Sequence, residues 1–280
     1  MSVLQAIILG LTQGATEYAP VSSSGHLILV PWLFGWDSIL ANPDLNKTFD
    51  VALHMGTLLG ALVYFRHDIV RYLGAFLASV RARAIEGTDE RIAWAIVVGT
   101  IPGVVVGATL ENVIQEDLSQ PWLIAVMLAV FGVVLWAVDR LTRHDRPFGS
   151  IGMRTGLYLG IAQALALQPG VSRSGITMTA ARAIGIERGA SARFSFLLSL
   201  PVIAGAGAFK AVDLVRTGFG GYGSEFLWGF VASAISGYVV IAVLLRYLRG
   251  HGFAVFMWYR IAVAALCLGL IATGARAATI

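Results

Sequence analysis

The stretch GATEYAPVSSSGH, Gly14 to His26, interrupts an apolar run that begins at the first residue. It contains a glutamate, a proline, three consecutive serines and a histidine. A soluble protein would place such residues in a surface loop, whereas a membrane protein needs a specific reason to bury them. The composition decides between these cases, because the 280-residue chain is 57% hydrophobic and only 13% charged. Soluble domains contain about 25% charged residues, so we expect a membrane protein.

Most of the chain consists of apolar segments long enough to cross a bilayer as helices. Six of them are expected to be full spans, at about 49–66, 92–110, 121–139, 194–214, 226–246 and 256–275. Two further apolar segments, residues 1–40 and 153–187, are broken at residues 20–25 and 169–175. The sequence therefore predicts an all-α polytopic membrane protein with six transmembrane helices and two re-entrant helical hairpins.

The two broken segments resemble each other at an offset of 150 residues. The matching pairs are Gly10 and Gly160, Gln13 and Gln163, Val21 and Val171, Ser22 and Ser172, Ser24 and Ser174, and Gly25 and Gly175. A shared V-S-x-S-G motif at a break in each half indicates two homologous halves. We interpret the chain as a single integral membrane domain, residues 1–280, built from repeats at about 1–140 and 151–280.

The basic residues indicate how the repeats are oriented. Most arginines lie in segments 66–91, 139–154 and 246–260, the last of which includes Arg260. The positive-inside rule places these segments on the cytoplasmic side, which explains the net charge of +4 without a nucleic-acid partner. Three predicted spans lie between the first break and the second repeat, so the two hairpins enter from opposite faces. Inverted repeats of this kind place anion-binding sites near the membrane midplane.

The first break carries an acid and a row of hydroxyl groups. Gln13 and Glu17 are four residues apart and share one helix face. An acid at membrane depth is costly and usually functional, although such a pair can also simply join helices. One serine of the SSSGH run at residues 22–26 is explained by helix capping. Three serines beside a histidine are typical of an activated nucleophile or a proton relay.

The second break supplies a cation. Arg173 stands where the first repeat has Ser23, and it is flanked by Ser172 and Ser174. A guanidinium group forks onto phosphate oxygens, and at membrane depth it needs an anionic partner. That partner is either Glu17, in a salt bridge, or a phosphate ligand. The first break thus provides an acid, hydroxyl groups and an imidazole, and the second provides a cation. This unequal distribution favours phosphoryl chemistry over symmetric ion passage.

Three motifs together resemble the signatures of the undecaprenyl-diphosphatase (bacitracin-resistance) family. They are QxxxE at residues 13–17, PVSSSGH at residues 20–26 and PGVSRSG at residues 169–175. The resemblance covers essentially the whole chain, with Gln13 as an allowed variant and Ser24 where threonine is common. It implies hydrolysis of undecaprenyl diphosphate to undecaprenyl phosphate and inorganic phosphate, which recycles the carrier for cell-wall synthesis and confers bacitracin resistance. It also implies a divalent cation, Mg²⁺ or Ca²⁺, and an inner-membrane site that opens to the periplasmic face.

From the matching positions we predict the site residues by role. The catalytic residues are Glu17, Ser23, His26 and Arg173. The substrate-binding residues are Gln13, Ser22, Ser24, Gly25, Ser172, Ser174 and Gly175. The metal ligands are Glu17 and Gln13. Ser23 is the expected nucleophile and His26 moves its proton, while attack by His26 itself or by water stays open.

Several alternatives remain at this point. Asp50 and His54 either line the mouth of the pocket or bond to neighbouring helices. A lipid-phosphate transporter or flippase would share the inverted repeats and the midplane polar groups. A second membrane lipid-phosphatase family is disfavoured, because its later histidine position holds Thr179. The expected partners are the polyprenyl diphosphate lipid and the bilayer. Gly205 and Gly207 in addition indicate either close helix packing or a homodimer contact.

Overall fold

The structure, a computed structural model, describes residues 1–36, 43–142, 146–217 and 221–279. Within these ranges the chain forms helices joined by turns, and no β-strand occurs there. The helices are α1 (Val3–Tyr18), α2 (Ser23–Phe34), α3 (Pro43–Tyr64), α4 (Arg66–Ala82), α5 (Thr88–Asp117), α6 (Pro121–Leu141), α7 (Met153–Ala164), α8 (Arg173–Ala183), α9 (Arg188–Thr217), α10 (Gly223–Tyr247) and α11 (Ala254–Ala272). The predicted all-α fold is confirmed.

In the described part of the chain, five helices are long and apolar enough to cross a membrane, namely α5, α6, α9, α10 and α11. Helices α3 and α4 form a sixth candidate as a bent pair, with 81° between their axes. The six predicted spans correspond in order to α3, α5, α6, α9, α10 and α11. The sequence did not predict α4, because arginines and other polar residues interrupt its apolar positions and the segment reads as a basic loop. The chain is thus a multi-pass membrane protein.

Both predicted breaks occur where they were expected, and both contain a serine with the same unusual backbone conformation. Helix α1 ends before Ala19, which is extended because it precedes Pro20. Ser22 then adopts φ 74° and Ser172 adopts φ 76°, a conformation that non-glycine residues rarely take. Each of these serines caps the following helix through its side chain. The two serines matched by the 150-residue offset therefore repeat one local structure, while the boundaries of the repeats stay a prediction.

The helices of the two halves exchange partners across the molecule. Helix α1 packs against α10, whereas α7, its counterpart, packs against α5, the counterpart of α10. Helix α6 packs against its own counterpart α11, and α3 against α9. The matching glycines Gly10 and Gly160 allow two of these contacts, because a Cβ at either position would overlap the backbone oxygen of Gly229 or Gly99 respectively. Small residues bring membrane helices this close together.

Arg260 of α11 ties the two breaks together. Its side chain is fully buried inside the helix bundle and does not lie in a loop, while the cytoplasmic side of segment 246–260 stays a prediction. Its guanidinium donates to the carbonyl oxygen of Pro20 at 3.1 Å and to that of Gly170 at 2.7 Å. It also donates to the carbonyl groups of Val171, Leu128 and Met127. Broken helices leave carbonyl groups without partners, and one arginine satisfies them from both halves.

We expect Arg260→Met to destabilise the protein strongly. The substitution leaves several buried carbonyl groups unpaired, and each costs about 1–3 kcal/mol. Because three of these carbonyl groups, those of Pro20, Gly170 and Val171, belong to the breaks, a total loss of roughly 3–9 kcal/mol is expected, measured as a lower Tm in detergent. Arg71→Met is the matched control, because the Arg71 ion pair with Asp89 is exposed and such pairs contribute little. An Arg260→Met protein that melts at the wild-type temperature would refute the role of Arg260 as a tie.

Candidate active site

A cavity of about 220 Å³ lies where the two breaks meet. Its walls are formed by Glu17, Ser22, Ser23, Ser24, His54, Gly103, Gln163, Ala166, Leu167, Ser172, Arg173 and Val202. Both halves of the chain contribute, since the first break supplies the acid and the row of serines and the second supplies the arginine. The cavity also has an apolar wall, made by helices α5 and α9 and the end of the α7 segment.

Glu17 is the centre of this site, and only 1% of its side chain is exposed. Its Oε1 forms an ion pair with the guanidinium of Arg173. Its Oε2 accepts hydrogen bonds from Gln13 Nε2 at 3.0 Å and from Ser23 Oγ at 2.5 Å. The salt bridge considered as one alternative for Arg173 is therefore formed. Because the same guanidinium lines the cavity, this pairing leaves it positioned to contact a ligand as well.

Ser23 has the geometry of an activated hydroxyl group. Its O–H donates to a carboxylate at a length typical of a charge-assisted bond. A carboxylate within hydrogen-bonding reach of a hydroxyl can remove its proton as the oxygen attacks. Ser23 is also part of the cavity wall, so its oxygen faces the space that a substrate would enter. Of the predicted catalytic residues, the structure brings Glu17, Ser23 and Arg173 together.

The serines and glycines among the remaining predicted binding residues mainly hold the two breaks together. Ser22 Oγ accepts from the backbone N–H of Gly25 at 3.3 Å and, across the interface, from that of Gly170 at 3.0 Å. In the second break, Ser172 Oγ accepts from the backbone N–H of Gly175 at 3.1 Å, and Ser174 Oγ donates to the Ala19 carbonyl at 3.0 Å. Ser22, Ser24 and Ser172 also line the cavity, whereas Gly25, Ser174 and Gly175 do not.

His26 lies outside the cavity wall. Its Nδ1 is 2.8 Å from the carbonyl oxygen of Ser22, so this nitrogen must carry the hydrogen. Its Nε2 is 2.8 Å from the hydroxyl of Tyr259, on which the ring also stacks. Both ring nitrogens are therefore occupied by structural partners. The structure does not bring His26 to the Ser23 hydroxyl.

A different histidine reaches the carboxylate. His54 of α3 lines the cavity, and its Nε2 is 3.5 Å from Glu17 Oε2. Its Nδ1 donates to the Asp50 carbonyl at 2.7 Å, which fixes the ring. Of the two alternatives given for His54, the cavity position is the one observed. An ionisable residue in an apolar span was the sequence signal, but it did not distinguish a site residue from a helix contact.

The predicted cation site can be compared with the donors that are present. Among the described residues, no three His, Cys, Asp or Glu side chains cluster to form a metal site. Mg²⁺, however, is commonly held by one or two carboxylates together with substrate phosphates. Glu17 supplies a carboxylate, and the buried Oε1 of Gln13 accepts no hydrogen bond in the described part of the chain. Glu17 lines the cavity and Gln13 does not, so of the two predicted ligands the carboxylate is the one placed to meet a cation together with substrate phosphates.

Comparison with known proteins places the chain in a family. The model of the bacitracin resistance protein BacA family matches residues 6–266. A protein of Pelobacter propionicus is 43% identical over 98% of this chain and 99% of its own, and one of Pelotomaculum thermopropionicum is 44% identical over 97% of both. A protein of Moorella thermoacetica is 43% identical over 96% of this chain and 98% of its own, and all three are named undecaprenyl-diphosphatase. The chain belongs to the bacitracin resistance protein BacA family.

Proposed function

We propose that the protein hydrolyses undecaprenyl diphosphate to undecaprenyl phosphate and inorganic phosphate, which recycles the lipid carrier and confers bacitracin resistance. The observation that carries this proposal is the meeting of Glu17, Ser23 and Arg173 in one cavity, with residues from both halves of the chain. The diphosphatase names of full-length relatives support it. A substrate with a polyprenyl tail stays in the bilayer, so its enzyme needs a polar site among membrane helices.

The reaction proceeds in two steps on the residues of this cavity. Ser23 Oγ attacks the terminal phosphorus while its proton passes to Glu17 Oε2, 2.5 Å away. The bond from that phosphorus to the bridging oxygen breaks, undecaprenyl phosphate leaves, and the phosphoryl group stays on Ser23. Water then attacks the phosphoserine, which releases inorganic phosphate and restores the hydroxyl. Arg173 holds the phosphoryl oxygens and offsets the charge that develops on them.

His54 completes the path of the proton. Its Nε2 faces the oxygen of Glu17 that accepts from Ser23. A proton that Glu17 takes up in the first step is therefore within one short transfer of an imidazole. His54 is partly exposed, with 28% of its side chain accessible, so it connects the buried carboxylate to the surface. Glu17 regains its base form for the next turnover by this route.

We also propose a divalent cation, Mg²⁺ or Ca²⁺, held by Glu17, Gln13 and the diphosphate itself. When bound, it would neutralise charge on the phosphoryl oxygens. The potential ligand atom that supports this assignment is Gln13 Oε1, since it is buried and accepts no hydrogen bond from any described residue.

His26 acts as a positioning residue in this mechanism. Its Nδ1–H holds the carbonyl of Ser22, whose backbone has the unusual positive φ. That bond fixes the turn that presents Ser23 to Glu17. The alternative that His26 itself attacks the phosphorus requires the ring to leave both of its partners.

We therefore expect His26→Asn to keep more activity than His26→Ala. The amide nitrogen of asparagine can replace Nδ1 and donate to Ser22, whereas alanine leaves that carbonyl unpaired at a cost of about 1–3 kcal/mol. We predict a loss within about 10-fold for asparagine and of roughly 10²-fold for alanine, measured as kcat for phosphate release. Equal losses in the two variants, with a changed pH–rate profile, would instead assign the proton transfer to His26.

We further propose an inner-membrane location with the site open to the periplasmic face, where the positive-inside rule places the first hairpin. A homodimer is proposed through the surface around Gly205, because no described atom lies within 4 Å of a Cβ added there. Gly207, in contrast, packs against Met55 of the same chain. The oligomer is measured by light scattering in detergent.

The test of the proposed function is phosphate release by the purified protein from undecaprenyl diphosphate, with and without a chelator. Release that stops on chelation and returns with Mg²⁺ or Ca²⁺ is the expected result. Intact lipid bound without phosphate release would favour the flippase alternative, which the names of the relatives do not support. Release unaffected by chelation would remove the cation from the mechanism.

A further inference from the structure

Gln163 is a buried side chain of the cavity wall without a hydrogen-bond partner among the described residues. It lies in the last turn of α7, is 3% exposed and forms part of the cavity wall. Neither Oε1 nor Nε2 has a hydrogen-bond partner among the residues that the structure describes. Leaving a buried polar group unpaired costs about 1–3 kcal/mol. Such a cost is usually associated with a ligand or another functional requirement.

A comparison of the two repeats shows why Gln163 has no hydrogen-bond acceptor four residues away. Its counterpart in the first half, Gln13, donates through Nε2 to Glu17. At the same 150-residue offset, the position of Glu17 is occupied by Leu167, which also lines the cavity. Leucine accepts no hydrogen bond, so the second repeat has the amide without the internal acceptor that the first repeat provides. Gln163 forms part of the cavity wall with its amide enclosed, so a rotation of the side chain would bring its N–H groups to a molecule that enters the cavity.

The surroundings of Gln163 indicate which part of a ligand it meets. Glu17, Ser23 and Arg173 form the reactive wall, whereas Gly103, Ala166, Leu167 and Val202 form an apolar wall. A Cβ added at Gly103 would lie 3.4 Å from Gln163 Nε2 and 4.0 Å from a methyl group of Val202. Gln163 Nε2 therefore lies beside the apolar wall of a cavity that Ser23 and Arg173 also line. In a lipid diphosphate, the lipid-linked phosphate lies between the apolar chain and the terminal phosphate.

We propose that Gln163 binds the lipid-linked phosphate of the substrate, with Nε2–H donating to a phosphoryl oxygen. This inference rests on the proposed function, since it assigns the non-transferred phosphate of that substrate. Ser23 and Arg173 act on the terminal phosphorus, and Gln163 orients the other phosphate so that the scissile bond points toward Ser23. Gln163 is then a substrate-binding residue in the half that provides Arg173.

Substrate binding is measured by titrating farnesyl diphosphate into the Ser23→Ala protein, which does not turn the ligand over. Adding Gln163→Leu should weaken binding by roughly 10-fold or more, as expected for a hydrogen bond to a charged group. Gln163→Glu should weaken it further, because it places an anion beside the phosphate. Gln168→Leu is the matched control, since Gln168 donates to the carbonyls of Leu118 and Pro169 and is not part of the cavity wall.

If Gln163 served only to hold helices together, Gln163→Leu would lower Tm. The proposal predicts a different result. Replacing a buried, unpaired amide with leucine should leave Tm unchanged or raise it, so a loss of binding at constant Tm supports the proposal. Binding by Gln163→Leu at the strength of the Ser23→Ala parent would overturn it. The hydrolysis assay on wild-type protein is a separate measurement. Its failure would remove the proposed function without changing what the titration says about Gln163.

Discussion

Ser23→Ala should lower kcat for phosphate release by about 10³-fold or more, with little change in the affinity for the diphosphate. The substitution removes the oxygen that attacks phosphorus and leaves the cation of Arg173 in place. The Ser23 hydroxyl donates to Glu17 at 2.5 Å, so the substitution also leaves the carboxylate without the hydroxyl whose proton it would accept. The measurement is steady-state phosphate release, combined with a titration of substrate binding to the inactive protein.

Ser24→Ala is the matched control for that variant. Ser24 lines the same cavity and lies next to Ser23 in the sequence, but its hydroxyl is 3.5 Å from Ser22 Oγ and makes no described bond to Glu17. We expect a loss of less than about 10-fold for Ser24→Ala. Unchanged turnover in Ser23→Ala, or a phosphoryl adduct trapped on His26, would exclude Ser23 as the nucleophile.

Arg173→Met should lower kcat/KM by roughly 10³-fold, the scale known for arginines that stabilise a transferring phosphoryl group. Unlike Ser23→Ala, it should weaken both binding and turnover, because the guanidinium contacts the phosphoryl group before and during transfer. Arg173→Lys should recover only part of the loss, since an ammonium group cannot fork onto two oxygens. Substrate titration and phosphate release on the same protein separate the two effects.

The stability of the Arg173 variants must be measured with their activity. Arg173 pairs with the buried carboxylate of Glu17, and removing one member of such a pair leaves an uncompensated charge. We expect a lower Tm for Arg173→Met, and its recovery when Glu17→Gln is added. Arg173→Met protein with wild-type kcat/KM would show that the guanidinium serves the helix contact alone.

The sequence was sufficient for the parts of the fold that depend on local chemistry. The proline and serine breaks at Pro20 and Pro169, the positions of the long apolar spans and the repeat itself follow from residue type and order. For the same reason, Glu17, Ser23 and Arg173 were named as candidate site residues before the structure showed that they lie together. Ser22 and Ser172, which match at a fixed offset, also share a backbone conformation that the sequence alone did not predict.

The remaining features depend on which helices pack together, and a single sequence does not specify that. Arg260 reads as a loop arginine next to a cytoplasmic segment, and only the packing of α11 on α6 turns it toward both breaks. The two histidines, His26 and His54, are separated by helix packing in the same way. Sequence proximity favoured His26, whereas α3 brings His54 to Glu17.

The most direct test of a shared site is a double-mutant cycle on phosphate release. The purified wild type is compared with Glu17→Gln, Arg173→Met and the double variant, all on undecaprenyl diphosphate. If one carboxylate and one guanidinium act on the same diphosphate, the double variant should be about as slow as the slower single variant. Losses that multiply, as they do for independent positions, would contradict a single site built from both breaks.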